Sequence, residues 1–351
     1  LERASLQLDH PARVRVARLA GSCRVAPGRT ISADLVADTY RSSLHLNCEI
    51  TPAGVRLEAR AAPLAAQDVA WLSAALPRQG LLRGRVGLSG PREAAKLSAD
   101  LAIEGTRLAG SGRLDLRDRH PAYALAMALR GCDPRALGLG PAGSLNADID
   151  MRGRGLSPAT MEAVVQAHLL PSRLGVYEIK DASLAAQLAG GRLKLTRAEA
   201  ELPCGRLAAT GEVSGLQGGN LQAGLAGRVE GIDLAALTGR RSLAGRLSAD
   251  FKAGLERLPG QPVAVTATLA LRDSSLAGRR IERGEVALGL RGNELTISRL
   301  RLASPALTLT ASGRASRSRL DLAWEAASSD FGALAQALGG APGGAGRLSL
   351  R

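Results

Sequence analysis

A module of about 100 residues occurs once in full and again nearly in full, which predicts an array of related units rather than a conventional globular core. The first copy begins GRLKLT at Gly191, and the second begins NELTIS at Asn293. Four pairs of equivalent residues are each 102 positions apart, and they are Leu193 and Leu295, Leu195 and Ile297, Pro203 and Pro305, and Gly211 and Gly313.

The copies also end alike, because a short apolar segment precedes the sequence Ala-Gly-Arg-Leu-Ser at residues 244–248 and again at residues 345–349. Divergent versions of this ending lie at residues 131–148 and 67–88. We therefore predict four segments: a divergent β-repeat region with a short helix (1–94), a β-repeat unit that ends in a helix (95–168), a full repeat (169–268) and a second, nearly complete copy (269–351).

Alternation of apolar and polar residues is the main local pattern, and it predicts strands with one wet face and one apolar face. The clearest predicted strands are 97–103, 145–151, 263–271 and 286–290. Glycine-containing joints at 104–106, 188–191 and 291–293 predict tight turns between strands.

Short helices are predicted at the joints between repeats. Apolar residues at helical spacing occur over residues 63–76, 157–169, 233–237 and 330–338. Asp68, Asp233 and Asp330 are predicted N-caps, and Ser157 and Asp133 each precede a proline suited to the first helical position. The fold class is therefore all-β with short helices at repeat joints.

Arginine dominates the charge of the chain. The net charge is +14, and only four of the 46 basic residues are lysine. This excess fits either a solvated face or attraction to anionic lipid head groups or another acidic surface. Nucleic acid is disfavoured, because the seven aromatic residues are scattered singly and offer no stacking platform.

Catalytic and cofactor motifs give no support to an enzyme. The glycines at 138, 140 and 143 match a dinucleotide fingerprint, but a strand follows them where a helix is needed, and Pro141 removes an amide. The four histidines lack ligand spacing to one another or to cysteine. Carboxylates two apart, such as Asp148 and Asp150 or Glu199 and Glu201, lie on predicted polar strand faces, where solvation is their usual role. We expect no enzyme activity, no cofactor and no metal.

The remaining sequence features bear on the cell compartment. No apolar run reaches the length of a membrane span, and the chain begins without Met or a signal peptide, so we expect an internal fragment of a longer protein. Cys23 and Cys48 could pair in an oxidising compartment, or all four cysteines could be isolated thiols.

The repeated segments 191–211 and 293–313, with the joints from Ile232 to Leu247, resemble the repeats of AsmA-like proteins, including the TamB and YhdP branches. The resemblance covers most of residues 95–351. It implies an elongated β-sheet curled into a trough, a periplasmic protein anchored in the inner membrane of a Gram-negative bacterium, and phospholipid transport between membranes. The TamB branch also implies outer-membrane β-barrel proteins as partners.

We expect lipid chains to contact one apolar face of the sheet. The candidate lining residues are Leu97, Leu101, Leu145, Ile149, Leu193, Leu195, Leu295, Ile297, Leu307 and Leu309. Three alternatives stay open: these faces could close into a dry sandwich or β-helix core, an exposed strand edge could assist outer-membrane protein assembly, or the chain could be a secreted β-solenoid adhesin.

Overall fold

The chain is described here from a computed structural model. The structure describes residues 18–26, 30–38, 42–65, 80–136, 142–156, 160–215, 220–238, 244–276, 279–305, 307–316, 319–328 and 347–350. Within these ranges 79% of the residues lie in strands, and their one helix, α1, spans Leu234–Thr238. The all-β prediction is confirmed.

The chain divides into two compact units, Leu1–Asp181 and Ala182–Arg351. The strands of the first unit are β1 Arg18–Ala26, β2 Thr30–Asp38, β3 Ser43–Ile50, β4 Gly54–Ala65, β5 Leu81–Pro91, β6 Ala95–Ile103, β7 Thr106–Asp115, β8 Ala122–Cys132, β9 Gly143–Arg154, β10 Glu162–Leu169, β11 Ser172–Leu174 and β12 Tyr177–Ile179. The four segments predicted from the sequence follow the repeats and not these two units, and that division stays a prediction.

The second unit continues the same pattern after β13, which spans the boundary. Its strands are β13 Asp181–Ala189, β14 Arg192–Leu202, β15 Gly205–Ser214, β16 Leu221–Asp233, β17 Arg246–Arg257, β18 Ala264–Arg272, β19 Ser274–Leu276, β20 Arg279–Ile281, β21 Arg283–Arg291, β22 Glu294–Ala303, β23 Leu307–Ala315, β24 Leu320–Ser328 and β25 Arg347–Leu350.

Strands that follow one another in the chain are neighbours in the sheet. β1 to β10 pair consecutively and antiparallel in the first unit. In the second, β14 to β18 and β21 to β25 do the same, and β18 pairs directly with β21. The short strands β11–β12 and β19–β20 form side hairpins. Strands were expected at 97–103, 145–151, 263–271 and 286–290; β6, β9 and β21 cover three of these ranges, and β18 covers the other from Ala264 onward.

Three strands that precede a joint carry the same β-bulge. The register shifts between Ala61 and Leu64 in β4, between Leu129 and Cys132 in β8, and between Val229 and Ile232 in β16. In each case the residue after the bulge is buried, and these residues are Leu64, Cys132 and Ile232. A bulge bends its strand, so the strand turns into the joint while one apolar residue stays covered.

A buried serine repeats at the sequence offset of 102. The Ser172 hydroxyl accepts the N–H of Asn146 (2.9 Å) and donates to the Leu170 carbonyl (2.7 Å). The Ser274 hydroxyl accepts the N–H of Ser248 (3.0 Å) and lies 2.9 Å from the Arg272 carbonyl. The repeat seen in the sequence is therefore also a repeat of hydrogen bonds.

Two of the predicted helices lie wholly or mostly within the described residues. The helix at 233–237 is confirmed as α1, and the Asp233 carboxylate accepts the backbone N–H groups of Ala235 (2.9 Å) and Ala236 (3.1 Å), as expected of an N-cap. The helix at 157–169 is wrong, because residues 162–169 form β10. There Ala163, Val165, Ala167 and Leu169 alternate with exposed residues, and the paired β-branched valines favour a strand.

The other helices predicted at repeat joints lie partly or wholly outside the described residues. Residues 63–65, expected in a helix, end strand β4, while residues 66–76, the helix at 330–338, and the caps Asp68 and Asp330 lie outside the described residues. The glycine-rich segment 138–143 lies mostly outside them as well.

The four cysteines have free thiols. Cys23 and Cys48 face the same partner, Ala33, from either side of β2. Two strand spacings put their Cα atoms about 10 Å apart, beyond the roughly 7 Å that a disulfide can bridge. This register does not permit a Cys23–Cys48 disulfide.

Candidate functional site

The first unit presents a face on which every side chain of four cross-strand rows is apolar or absent. Residues directly opposite each other in an antiparallel pair point to the same side of the sheet. The row through Leu97 contains, from β1 to β10, Cys23, Ala33, Cys48, Leu57, Leu88, Leu97, Gly112, Leu125, Met151 and Val165.

Three parallel rows complete this face, which we call the unit-1 apolar face. They pass through Ala95, Ala99 and Leu101 of β6, and each position in them on β1 to β10 is Leu, Ile, Val, Ala, Met, Gly or Tyr. On β5 the Ala95 row continues at Gly90, where a Cβ would lie 3.8 Å from Ala95 Cα. The candidates Leu97, Leu101 and Ile149 lie on this face. Leu145 lies just beyond it, paired with Cys132 past the bulge of β8.

The second unit has an equivalent unit-2 apolar face of four rows across β14 to β18 and β21 to β24. The row through Leu193 contains Leu193, Val213, Ala223, Leu255, Val265, Leu290, Leu295, Ala315 and Leu320. The structure therefore places the repeat-related candidates Leu193 and Leu295 in one row.

The next rows of the unit-2 apolar face hold most of the other candidates. Leu195 and Ile297 share a row, and Leu309 lies in the fourth row, opposite Leu302 and Ala326. Leu307 is opposite Ser328 in the backbone register, but its side chain lies outside the described part of the structure.

A bulge at the same repeat position keeps the rows aligned. The register shifts between Leu195 and Ala198 in β14 and between Ile297 and Leu300 in β22. The inserted residue absorbs the odd spacing, so the apolar residues on both sides of the bulge face the same way. Alternation in the sequence alone therefore missed members of this face such as Leu300. The signal that could have found it is the spacing of three, instead of two, between the apolar residues Ile297 and Leu300, which marks the bulge.

Most large side chains on both faces are only partly covered, and Tyr123 and Leu271 are buried exceptions. All nine candidates with a described side chain are half-buried, and none is buried. Several other large side chains on the faces are exposed, and these are Val25, Ile31, Leu225, Leu290, Leu320, Leu322 and Trp324. Fully buried apolar residues in the described part are mostly alanines, and the buried cluster around Ala249, Leu271 and Ile281 is small.

Each face is large compared with an ordinary surface patch. At about 4.8 Å per strand and about 6.7 Å per row, ten strands and four rows span roughly 43 Å by 20 Å, on the order of 900 Å². The largest apolar patch on a typical soluble monomer is about 300–600 Å² and marks an interaction site. A face of this size is therefore a candidate surface for contact with a ligand, a partner or a membrane.

The opposite face of each unit is polar and carries ion pairs between neighbouring strands. Arg107 Nη2 lies 3.0 Å from Asp100 Oδ2, Arg130 Nη2 lies 2.6 Å from Asp148 Oδ1, and Arg228 Nε lies 2.9 Å from Asp250 Oδ1. The hydrogen bonds from Arg107 and Arg228 lower the pKa of Asp100 and Asp250. These carboxylates are held ionised, which suits a solvated surface.

Shallow depressions also lie over small residues of the polar faces. One of about 410 Å³ lies beside Gly87 and Ser98 of the first unit, and one of about 480 Å³ lies over Ala226, Ala270 and Ala287 of the second. In the described ranges, no three His, Cys, Asp or Glu side chains are placed to hold a metal ion. No helix within those ranges is long and apolar enough to span a membrane.

A search of protein-family models, curated proteins and solved structures gives no significant match to this chain.

Proposed function

We propose that this chain holds or conducts lipid molecules, with their acyl chains against the two apolar faces. The observation that carries the proposal is that four adjacent rows over ten strands in one unit and nine in the other contain only apolar residues and glycine. On the resemblance of the repeats to AsmA-like proteins, we place it in the periplasm, in a longer protein anchored in the inner membrane, where it supports outer-membrane biogenesis as a non-enzymatic carrier of phospholipid.

The energetics favour a continuous apolar surface for such a task. Exposure of acyl chains to water costs about 0.8 kcal/mol per CH₂, so a lipid with roughly 30 methylenes pays on the order of 20 kcal/mol in open water. An apolar row that continues from strand to strand shields part of the acyl chains from water wherever the lipid lies along the row. We therefore propose that the sheet curls around the lipid as a trough, with no cofactor and no catalytic residue.

The test compares matched charge substitutions on the two faces of the sheet, in neighbouring strands. Leu195→Arg/Ile297→Arg puts two cations on the unit-2 apolar face, whereas Thr210→Arg/Ser312→Arg puts them on exposed, repeat-equivalent polar positions of β15 and β23. Native mass spectrometry with lipid extraction should find phospholipid with the wild type and the control, and several-fold less with the apolar-face variant.

Circular dichroism and urea unfolding decide between a lipid surface and a closed core. The proposal requires the apolar-face variant to stay folded while it loses lipid. A wild type without lipid, together with an unfolded variant, would mean that these leucines form a dry core, and the lipid proposal would fail.

A second candidate function rests on one strand edge. Within the described residues, β25 covers only Trp324–Ala327 of β24, which leaves the outer edge of Leu320–Ala323 without a paired strand. Open edges accept added strands, which would suit a scaffold for unfolded outer-membrane β-barrel proteins. A photo-crosslinker at Leu322 should then capture an unfolded barrel protein, and one at Leu288, whose strand is paired on both sides, should not.

A further inference from the structure

The side hairpin β11–β12 is firmly attached to the edge of the first unit. β11 pairs on one side with β12 and on the other with the start of β9, through Arg173 with Ser144 and Leu174 with Gly143. The Gly175 N–H also donates to the Ala142 carbonyl (2.7 Å). The hairpin is thus one part of a small three-stranded ladder.

Side-chain hydrogen bonds fix the base of this hairpin as well. The Ser172 hydroxyl connects Asn146 and Leu170, and the Asn146 amide donates to the Pro171 carbonyl (2.7 Å). With both its base and its first strand held, the hairpin presents its tip in a defined position.

The tip is apolar and exposed. Val176 is 85% exposed and Tyr177, next to it, is 46% exposed. The repeat-equivalent hairpin β19–β20 is built on the same buried serine, Ser274. A hairpin that is hydrogen-bonded at its base and exposes two adjacent apolar side chains presents a contact point, since exposed apolar residues normally occur singly.

Positive charge flanks the tip. Arg173 and Lys180 are exposed, and within the described residues neither forms an ion pair, whereas Glu178 is the one acidic residue between them. In the second hairpin, Arg279 and Arg280 occupy the sequence positions of Tyr177 and Glu178. The pattern is an apolar tip with an amphipathic tyrosine beside two exposed cations, with Glu178 opposite Arg173 in the hairpin and Asp181 next to Lys180.

We propose that the β11–β12 hairpin docks on a membrane surface that contains anionic lipid head groups. Val176 inserts at the head-group boundary, the Tyr177 ring lies there with its hydroxyl toward water, and Arg173 and Lys180 contact the lipid phosphates. This contact is separate from lipid held on the apolar faces, because it uses other residues and needs an intact bilayer.

The experiment measures binding of the whole chain to vesicles by flotation. Vesicles of phosphatidylcholine with 30% phosphatidylglycerol should bind the wild type, and phosphatidylcholine alone should bind it more weakly. Val176→Ser/Tyr177→Ser should lower the affinity about tenfold, and Arg173→Gln/Lys180→Gln should abolish the preference for the anionic vesicles. Val164→Ser, at an exposed valine of β10, is the matched control and should bind like the wild type.

Two results would overturn the proposal. One is equal binding by the wild type and the Val176→Ser/Tyr177→Ser variant when both are folded by circular dichroism. The other is a wild type that does not float, which would leave the tip as a contact for protein. Lipid that co-purifies with the hairpin variant, detected by native mass spectrometry, reports separately on the apolar faces and should stay at the wild-type level.

Discussion

Tyr123 has a buried hydroxyl that finds no hydrogen-bond partner among the described residues. The ring belongs to the unit-1 apolar face, opposite Leu114 and Gly153, and burial raises the pKa of the phenol, which therefore stays neutral. An unsatisfied buried donor costs free energy that an apolar isostere would not.

We expect Tyr123→Phe to raise the free energy of unfolding by up to about 1 kcal/mol, because it removes only the unsatisfied hydroxyl. Urea unfolding measures the change. Tyr177→Phe, at a half-exposed tyrosine, is the matched control and should change nothing. A clear loss of stability in Tyr123→Phe would show that the hydroxyl is bonded after all.

Asp115 shows how strongly one arginine fixes the charge of a surface carboxylate. Arg117 donates to it from Nε (2.9 Å) and from its backbone N–H (3.1 Å), and these bonds lower the pKa of Asp115 from 3.8 to about 2. Because the folded-state pKa is depressed, the pair stabilises the fold above about pH 4, and that contribution is lost as the pH falls toward 2.

An NMR titration of the Asp115 carboxyl carbon should therefore give a midpoint near 2 in the wild type. In Arg117→Gln the midpoint should move up toward the ordinary value of 3.8, because the charged donor is gone. A wild-type midpoint already near 3.8 would show that the pair does not persist in solution.

At the scale of single elements, the bulges in β8 and β16 provide a natural comparison. Gly131 and Gly231 have nearly the same positive φ, 65° and 62°, and their N–H groups donate to Asn146 Oδ1 and Ser248 Oγ, respectively. Their surroundings differ: a Cβ on Gly131 would lie 2.7 Å from the Gly105 carbonyl oxygen, whereas a Cβ on Gly231 would have no neighbour within 4 Å.

Gly231→Ala should therefore cost only the left-handed backbone conformation, about 1–2 kcal/mol of unfolding free energy. Gly131→Ala should cost clearly more, because the added methyl group also collides with backbone that cannot rotate away. Thermal or urea unfolding of the two variants measures the difference. Equal losses would show that the backbone around Gly131 shifts easily.

Strand positions were predictable because each strand of this fold has one wet face, so alternation is visible in the sequence. The strand at Glu162–Leu169 was misassigned because its alanines and valines also satisfy a helical spacing, and its pairing with β9 decides between the two. The bulges were missed because they break alternation. The apolar spacing of three from Leu195 to Ala198 and from Ile297 to Leu300 marks them once the register is known.

The candidate site was predictable to a similar degree. A pattern of every second leucine identifies an apolar face, which is why eight of the ten chosen residues fall in the eight apolar rows. It does not say which residues of different strands share a row, since that depends on register. The side hairpin at Ser172–Ile179 could not be predicted, because its strands are only three residues long and too short to show an alternation of apolar and polar residues.

At the scale of the whole chain, stability should be local, because each strand contacts the strands next to it in sequence. Ser274 is 1% exposed and connects β17 to the end of β18 through its hydroxyl. We expect Ser274→Ala to speed amide exchange in β17–β19 and to leave β22–β24 of the same unit nearly unchanged. Hydrogen-exchange mass spectrometry measures both.

Ser98→Ala, at an exposed serine of β6, is the control and should leave all peptides unchanged. If Ser274→Ala instead increased exchange evenly over the second unit, that unit would unfold in one step.

The offset of 102 residues between Ser172 and Ser274 bears on how the gene for such a chain evolves. A stretch of 102 residues that starts at Arg246 contributes six complete strands to the main sheet before β25 begins, and these are β17, β18 and β21 to β24. One duplication therefore adds about 29 Å of sheet with its face already formed, and one deletion removes as much. Unequal recombination between neighbouring copies would therefore lengthen or shorten the sheet in steps of one repeat.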